Sequence, residues 1–318
     1  MIKTITLAVA LAFTALPLAT TAWAQAPAAK PKAHAPAAQS TYASPEAAAK
    51  ALADAVRAGD GNALLAVVGP SSKSWLLSGD PVSDREGWAR FLAGYDKKNS
   101  IAKDGDAKAT LLVGDDDWPF PAPLVQKGGK WRFDAEAGRE EVINRRVGRN
   151  ELDTIQTLLA IVDAQRIFAS KDPDGNGVAD YAAKFISSPG KKDGLYWETK
   201  PGEPESPLGP LVGEASAHGY NVKTAGAKPQ AYNGYLYRIV TSQGKDAPGG
   251  KYDYLVKGKL FGGFAVVAYP ATYGNSGVKS FIVNHDGVVY EKDLGAATAT
   301  TAAAMTQYNP DKTWQKAE

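Results

Sequence analysis

The chain has 318 residues, with 36 Lys+Arg against 34 Asp+Glu and no cysteine. So even a balance lacks the basic stripe of a nucleic-acid binder, and nucleic acid is not an expected partner. The absence of cysteine excludes disulfides, thiol catalysis and a lipoprotein anchor, while the length admits two domains of ordinary size.

Met1-Ile2-Lys3 carries one positive charge, an apolar run follows from Ile5 to Leu18, and Ala22-Trp23-Ala24 sets small residues ahead of Gln25. That order is a secretory signal peptide, with cleavage expected near Ala24. The apolar run is shorter than the roughly 20 residues a membrane helix needs, so the mature chain is expected to have no membrane span. No twin arginine precedes the run, which points to the general secretory route. A cysteine-free exported chain must rely on its core, and the expected location is periplasmic or secreted. Residues 25–41 (Q-A-P-A-A-K-P-K-A-H-A-P-A-A-Q-S-T) are rich in Ala and Pro, lack apolar periodicity, and read as a disordered linker.

The next segment, 42–133, reads as a domain of helices followed by strands. Ser44 can cap a helix, with Pro45 in its first turn and Glu46 favouring the helix dipole; the helix stops at Gly59-Asp60-Gly61. A second helix is expected from Asn62 to Val68. A third is expected around Arg85–Tyr95, where Trp88, Phe91, Leu92 and Tyr95 recur at helical spacing. Strands are expected at Ala107–Val113, Pro121–Gln126 and Lys130–Phe133, with Gly128-Gly129 turning a hairpin between the last two. Asp115-Asp116-Asp117 reads as a solvated loop.

From 134 to 318 a second domain is expected, a helix followed by an antiparallel sheet. Its opening stretch is charged and pairs Glu141 with Arg145 at i,i+4, which reads as a solvated face bridging two domains. Leu152, Ile155, Leu158, Leu159 and Val162 then make an apolar stripe, and the helix is expected to run to about Ser170. Residues 183–230 are rich in Gly and Pro and are expected as loops with short helical turns. Strands are expected at Gly234–Ser242, Leu260–Tyr269, Val278–Asn284 and Val288–Lys292, the last two flanking an Asn-His-Asp-Gly turn. A small helix is expected over Ala296–Met305, with Trp314 docked on the body. The fold class is therefore α+β.

The first segment, with S-P-E-A-A-A-K-A-L at its front and G-K-W-R-F near its end, resembles cone-shaped domains of the nuclear-transport-factor-2-like (NTF2-like) class. That resemblance implies a curved antiparallel sheet around a pocket. The strings W-R-F-D-A-E-A-G-R-E-E-V-I-N-R-R-V-G-R-N-E-L, D-P-D-G-N-G-V-A-D-Y-A, D-G-L-Y-W, S-P-L-G-P-L and N-P-D-K-T-W, in that order, resemble a family of secreted bacterial proteins catalogued as domain of unknown function 2950. The resemblance covers nearly the whole mature chain and implies no assigned activity. The second segment, with Ala164-Gln165, Phe168-Ala169, an acidic glycine loop and Tyr181-Ala182, is similar to the globular part of pseudopilins. Asp153, Asp163 and Arg166 on its helix argue against filament entry through lipid, where a central charge costs about 2.5–3.5 kcal/mol.

Motifs for catalysis are sparse. There is no H-E-x-x-H, and Gly274-Asn275-Ser276-Gly277 does not satisfy G-x-S-x-G. Ser188 and Ser242 each begin S-x-x-K, but the companion strings S-D-N and K-T-G are absent. Residues 244–252 miss the P-loop spacing by one and read as a glycine-rich hairpin connection.

The loop K-D-P-D-G-N-G-V-A-D-Y-A carries the one metal candidate. Asp172, Asp174 and Asn176 take the first three positions of the calcium template, Gly177 the sharp turn, Val178 a carbonyl position and Asp180 a water-linked position. Ala183 stands where the bidentate acid belongs, and Asp193 is a candidate replacement from outside the loop. The alternative is a metal-free Asx-rich turn, since Asp-Pro and Asn-Gly both favour turns. Both readings remain open, and Ca²⁺ is the only candidate cofactor.

The functional expectation is a secreted, non-enzymatic binding or envelope-associated protein, with an envelope protein or a small ligand as partner. Two alternatives stand beside it. One is a hydrolase with a site at the interdomain cleft using Asp193, Tyr196 or His218. The other is a small-ligand carrier that uses the first domain near Trp75, Trp88 and Trp118.

Overall fold

A computed structural model describes residues 38–221 and 230–317 of the chain. The signal peptide and all but the last residues of the linker lie outside them. Gln39, expected as linker, is pinned instead: its amide donates to the carbonyls of Val68 and Phe133 at 2.7 and 2.8 Å.

Four helices come first: α1 (Pro45–Arg57), α2 (Gly61–Val68), α3 (Lys73–Leu76) and α4 (Pro81–Lys97). Each of the longer three has a side-chain cap that satisfies orphan backbone N–H groups. Ser44 accepts from Ala47 N, Asp60 from Asn62 N and Ala63 N, and Asp80 from Val82 N and Ser83 N. The third expected helix is thus longer than its aromatic repeat suggested. Pro81 sits at its first position, where a missing N–H does no harm.

Strands β1 (Asn99–Asp104), β2 (Lys108–Val113), β3 (Trp118–Pro119), β4 (Leu124–Lys127) and β5 (Lys130–Phe133) form one antiparallel sheet ordered β1-β2-β4-β5, with β3 paired to β2. β1 was not expected, because N-S-I-A-K-D has no apolar alternation and lies at the exposed sheet edge. The β4–β5 turn is Gly128-Gly129, both at positive φ, as a two-residue hairpin connection requires. Ala109, Leu111 and Val113 of β2 alternate inward and pack with Leu52, Trp75 and Phe133 into the first core.

A single helix, α5 (Ala135–Lys171), then runs 37 residues, or about 55 Å at the α-helical rise. It is followed by α6 (Gly209–Ala217), in the stretch expected as loops and helical turns, and by the strands β6 (Tyr235–Val240), β7 (Ser242–Gln243), β8 (Tyr252–Asp253), β9 (Leu255–Val256), β10 (Lys259–Leu260), β11 (Ala265–Pro270), β12 (Lys279–Asn284) and β13 (Tyr290–Asp293). Helix α7 (Thr298–Ala303) and β14 (Gln315–Lys316) complete the order. The second sheet is antiparallel, ordered β14-β13-β12-β11-β6. β7 and β8 pair as a small hairpin across the glycine-rich connection, and β9 and β10 form another.

The central strand β11 reads A-V-V-A-Y-P without alternation, because both faces of the sheet are covered. On one face the Tyr237 hydroxyl of β6 donates to Thr154 of α5; from the other, Arg238 reaches the Ala302 and Met305 carbonyls at the end of α7. Leu158, Ile161, Val162 and Phe168 of α5 join this second core, and Trp314 packs on its margin beneath Lys292. The fold class is α+β. The described residues form one unit, and several side chains tie its two cores together. Arg146 of α5 donates to the Trp75 carbonyl and to Asn275 Oδ1, and Asn275 donates to the Leu77 carbonyl at 3.2 Å. Among the described residues no helix is long and apolar enough to cross a membrane.

Candidate functional site

A cavity of about 490 Å³ is walled by α4, the first turns of α5, α1 and the sheet beneath them. Small-molecule sites typically measure about 300–1,000 Å³. Helical spacing explains which side chains reach it. On α4, Asp84, Gly87, Trp88, Phe91 and Gly94 recur every three or four residues and share one face; on α5, Val142, Arg145, Arg146 and Arg149 do the same. Leu52 and Val56 of α1, Val113 of β2 and Phe120 supply the apolar floor.

Three tryptophans line it. Trp75 is fully buried, and its Nε1–H has no acceptor among the described residues. An orphaned buried donor costs about 1–3 kcal/mol. Trp88 is half-buried, and Trp118 at the mouth is 39 % exposed. Gly87 leaves its part of the wall bare: a Cβ added there would meet no atom within 4 Å.

The rim is cationic. The Arg145 guanidinium lies 5.3 Å from the Trp118 ring centroid while its Nε donates to Glu141 at 2.6 Å. Arg90 stands 4.0 Å from Glu86. Arg146 turns inward to the Trp75 carbonyl and Asn275. Arg149 forms no hydrogen bond or ion pair with the described residues, and its side chain reaches solvent. Crowding by protein atoms first, and repulsion from Arg90 second, hold it below the ordinary arginine pKa. Burial likewise lowers Arg146, opposed by the nearby Asp84 charge. Asp84 is raised by its own burial, against hydrogen bonds from Ser78. Its backbone partner, Ser78 N, lies 3.1–3.2 Å from the two carboxylate oxygens.

The structure therefore brings Trp75, Trp88 and Trp118 to one cavity, as the carrier alternative required. It also adds what sequence reading missed. The sequence places Arg145, Arg146 and Arg149 in the charged stretch that reads as a solvated face. The Glu141–Arg145 pair is indeed half exposed, but Arg146 points into protein. The available signal was the 3/4 spacing of Val142, Arg145, Arg146 and Arg149 on one helix face.

The calcium-template loop follows α5 directly. Asp172 caps the helix in the left-handed region at φ 45°, and its carboxylate accepts from Asn176 N at 3.0 Å and Gly177 N at 2.8 Å. These bonds hold Asp172 below the usual carboxylate pKa. The Asn176 amide nitrogen donates to both oxygens of Asp174 at 2.6 and 2.7 Å and to Asp180 at 2.9 Å. Asn176 Oδ1 is buried without a partner. The Val178 carbonyl accepts from Asp180 N, and Lys259 lies 4.0 Å from the Asp180 carboxylate. Among the described residues no group of three or more His, Asp or Glu side chains is placed to hold a metal ion. Asp193 is occupied elsewhere, accepting from Lys184 at 2.8 Å and from Ser188 N at 2.7 Å.

The residues of the expected hydrolase cleft take separate places. His218 ends α6 and contacts Glu86 of α4 through Nδ1. Tyr196 is held by a bridge to Ile186, and Asp193 by its own turn. No hydrogen bond or ion pair joins any two of the three. His285 stands 3.8 Å from Asp286 and edge-on to Tyr254.

Compared with known proteins, residues 39–317 match the family described as "Protein of unknown function (DUF2950)". No curated protein and no solved structure matches the chain.

Proposed function

The chain belongs to the DUF2950 family, whose description assigns no activity, and from its cavity we propose that it is a non-enzymatic binding protein of the bacterial cell envelope, exported by its N-terminal signal and taking a small apolar ligand in its first half. One observation carries this reading: an aromatic cavity of about 490 Å³ lined by Trp75, Trp88, Phe91 and Trp118. A packed core leaves few voids larger than a water molecule, so a well of this size beside Trp75, Trp88 and Phe91 is shaped for an occupant.

The test is a binding titration with the neutral dye N-phenyl-1-naphthylamine, read by dye emission and by quenching of the cavity tryptophans. The wild type is expected to bind at micromolar concentration. Gly87→Phe is expected to abolish binding while leaving circular dichroism intact, because the added ring grows into open space from a helical position. Undiminished binding by Gly87→Phe would place the dye elsewhere and sink the reading.

A second reading concerns the Asp172 loop, which we propose as a weak structural calcium site. The favouring observation is that oxygens of Asp174 and Asp180 converge on one atom of Asn176 while Asn176 Oδ1 is orphaned. The two ends of a side-chain amide are assigned from hydrogen bonds alone. With a cation between the carboxylates, the reversed amide would offer Oδ1 as a further ligand. Calcium takes six to eight oxygens, so water would complete the shell and the affinity would be low.

A further inference from the structure

The cavity has a polarity that the binding reading leaves unused: its floor is apolar and its rim is cationic with an unmatched charge. Arg145 has Glu141, Arg90 faces Glu86, and Arg146 has the Trp75 carbonyl and Asn275. Arg149 has none of these; Asp153, one turn further along α5, and Glu86 of α4 act on it only beyond ion-pair distance. Arg149 and Arg90 come from different helices, are close enough to repel, and both line the same cavity. Two neighbouring guanidinium groups above an apolar well are stabilised by an anion placed between them, since a charge-assisted hydrogen bond is about twice as strong as a neutral one. Guanidinium stays protonated at any physiological pH, so this cation is permanent.

Resting on the cavity reading, we infer that the ligand is an amphipathic anion, with an apolar body lying against Trp88, Phe91 and Phe120 and a single carboxylate-like head held at the rim by Arg149 and Arg90. Trp118, partly exposed and already beneath Arg145, closes the mouth over the junction of head and body. The arrangement selects for charge at one end of the molecule. A neutral apolar compound fills the floor but leaves the rim unpaired, and a small hydrophilic anion pairs the rim but gains nothing from the floor.

Decanoate and decanol separate the two contributions, because they share a chain and differ in the head. Titration calorimetry on the full mature chain is expected to show decanoate binding at least tenfold tighter than decanol. Arg149→Gln is expected to weaken decanoate about tenfold and leave decanol within twofold, and added salt should weaken decanoate alone. Equal affinity for the two probes, or an Arg149→Gln loss shared equally by both, overturns the anion assignment while the cavity reading stands. If Gly87→Phe leaves the binding of both probes unchanged, the cavity reading itself fails, and the anion assignment with it.

Discussion

The Tyr220 hydroxyl donates to Asp80 Oδ2 at 2.8 Å, joining residues 140 positions apart in a site where both are buried. Asp80 also caps α4 and accepts from Gly234 N at 3.2 Å. One carboxylate thus fixes the start of a cavity helix to the segment that leads into the second sheet. Burial, and then the Asp80 bond and charge, push the Tyr220 phenol well above its ordinary pKa, so it stays a donor at every physiological pH. Asp80→Ala is expected to destabilise the protein by about 2–4 kcal/mol, since it removes a helix cap and strands two buried donors. Tyr220→Phe should cost only about 1 kcal/mol, the worth of one hydrogen bond. Urea unfolding followed by circular dichroism measures both; equal losses would show that the junction, not the cap, dominates.

Arg146 offers a second handle on the same junction. Its guanidinium serves the Trp75 carbonyl and Asn275 Oδ1 at once. A lysine has one compact head and cannot reproduce a planar fork. Arg146→Lys is therefore expected to lose at least half of the roughly 2–3 kcal/mol lost in Arg146→Ala. Full rescue by lysine in denaturant melts would refute the bidentate role.

At the Asp172 loop, the calcium proposal predicts a rise in melting temperature. After chelator treatment, calcium at about ten times its dissociation constant should add about 1.4 kcal/mol, or roughly 2–4 °C. Asp174→Ala should erase the rise. A wild type indifferent to millimolar calcium would leave the loop as a hydrogen-bonded turn.

Acid stability should report on Asp193. Burial opposes its ionisation, but Lys184 and Ser188 together pull its carboxyl down to about 2. A depressed folded pKa stabilises above the unfolded value and is lost as pH falls through the folded one. The contribution is thus complete at neutral pH and disappears between about pH 4 and pH 2. Since Asp193 is partly solvated, about 1 kcal/mol is expected. Asp193→Asn should lower neutral-pH stability by that amount and flatten the acid limb of the stability curve over those two units.

Local signals carried much of the fold. Ser44 with Pro45, Gly128-Gly129, and the Asn284–Gly287 turn each act within a few residues, and each formed where expected. β1 was illegible because an exposed edge strand needs no apolar alternation. The start of α4 at Pro81 carries the same local signal as Ser44-Pro45, an Asp80 cap followed by proline, and the aromatic repeat alone, which begins later, does not show it. The three cavity tryptophans were legible as a set of large aromatics in one segment. The arginine rim was not, because Arg90 and Arg149 lie 59 positions apart and only the packing of α5 on α4 makes them neighbours.

Helix α5 contributes Val142 to the wall of one core and Leu158, Ile161 and Phe168 to the other. Neither half owns it. Melting either sheet would strip one end of a continuous rod, and nucleating a helix afresh is far costlier than extending one. The two halves should therefore unfold in a single calorimetric transition, and a chain cut after Phe133 should yield fragments that fold only when mixed. Occupancy of the cavity would then slow amide exchange as far away as β11 and β12, by raising the free energy of the one global opening that both halves share.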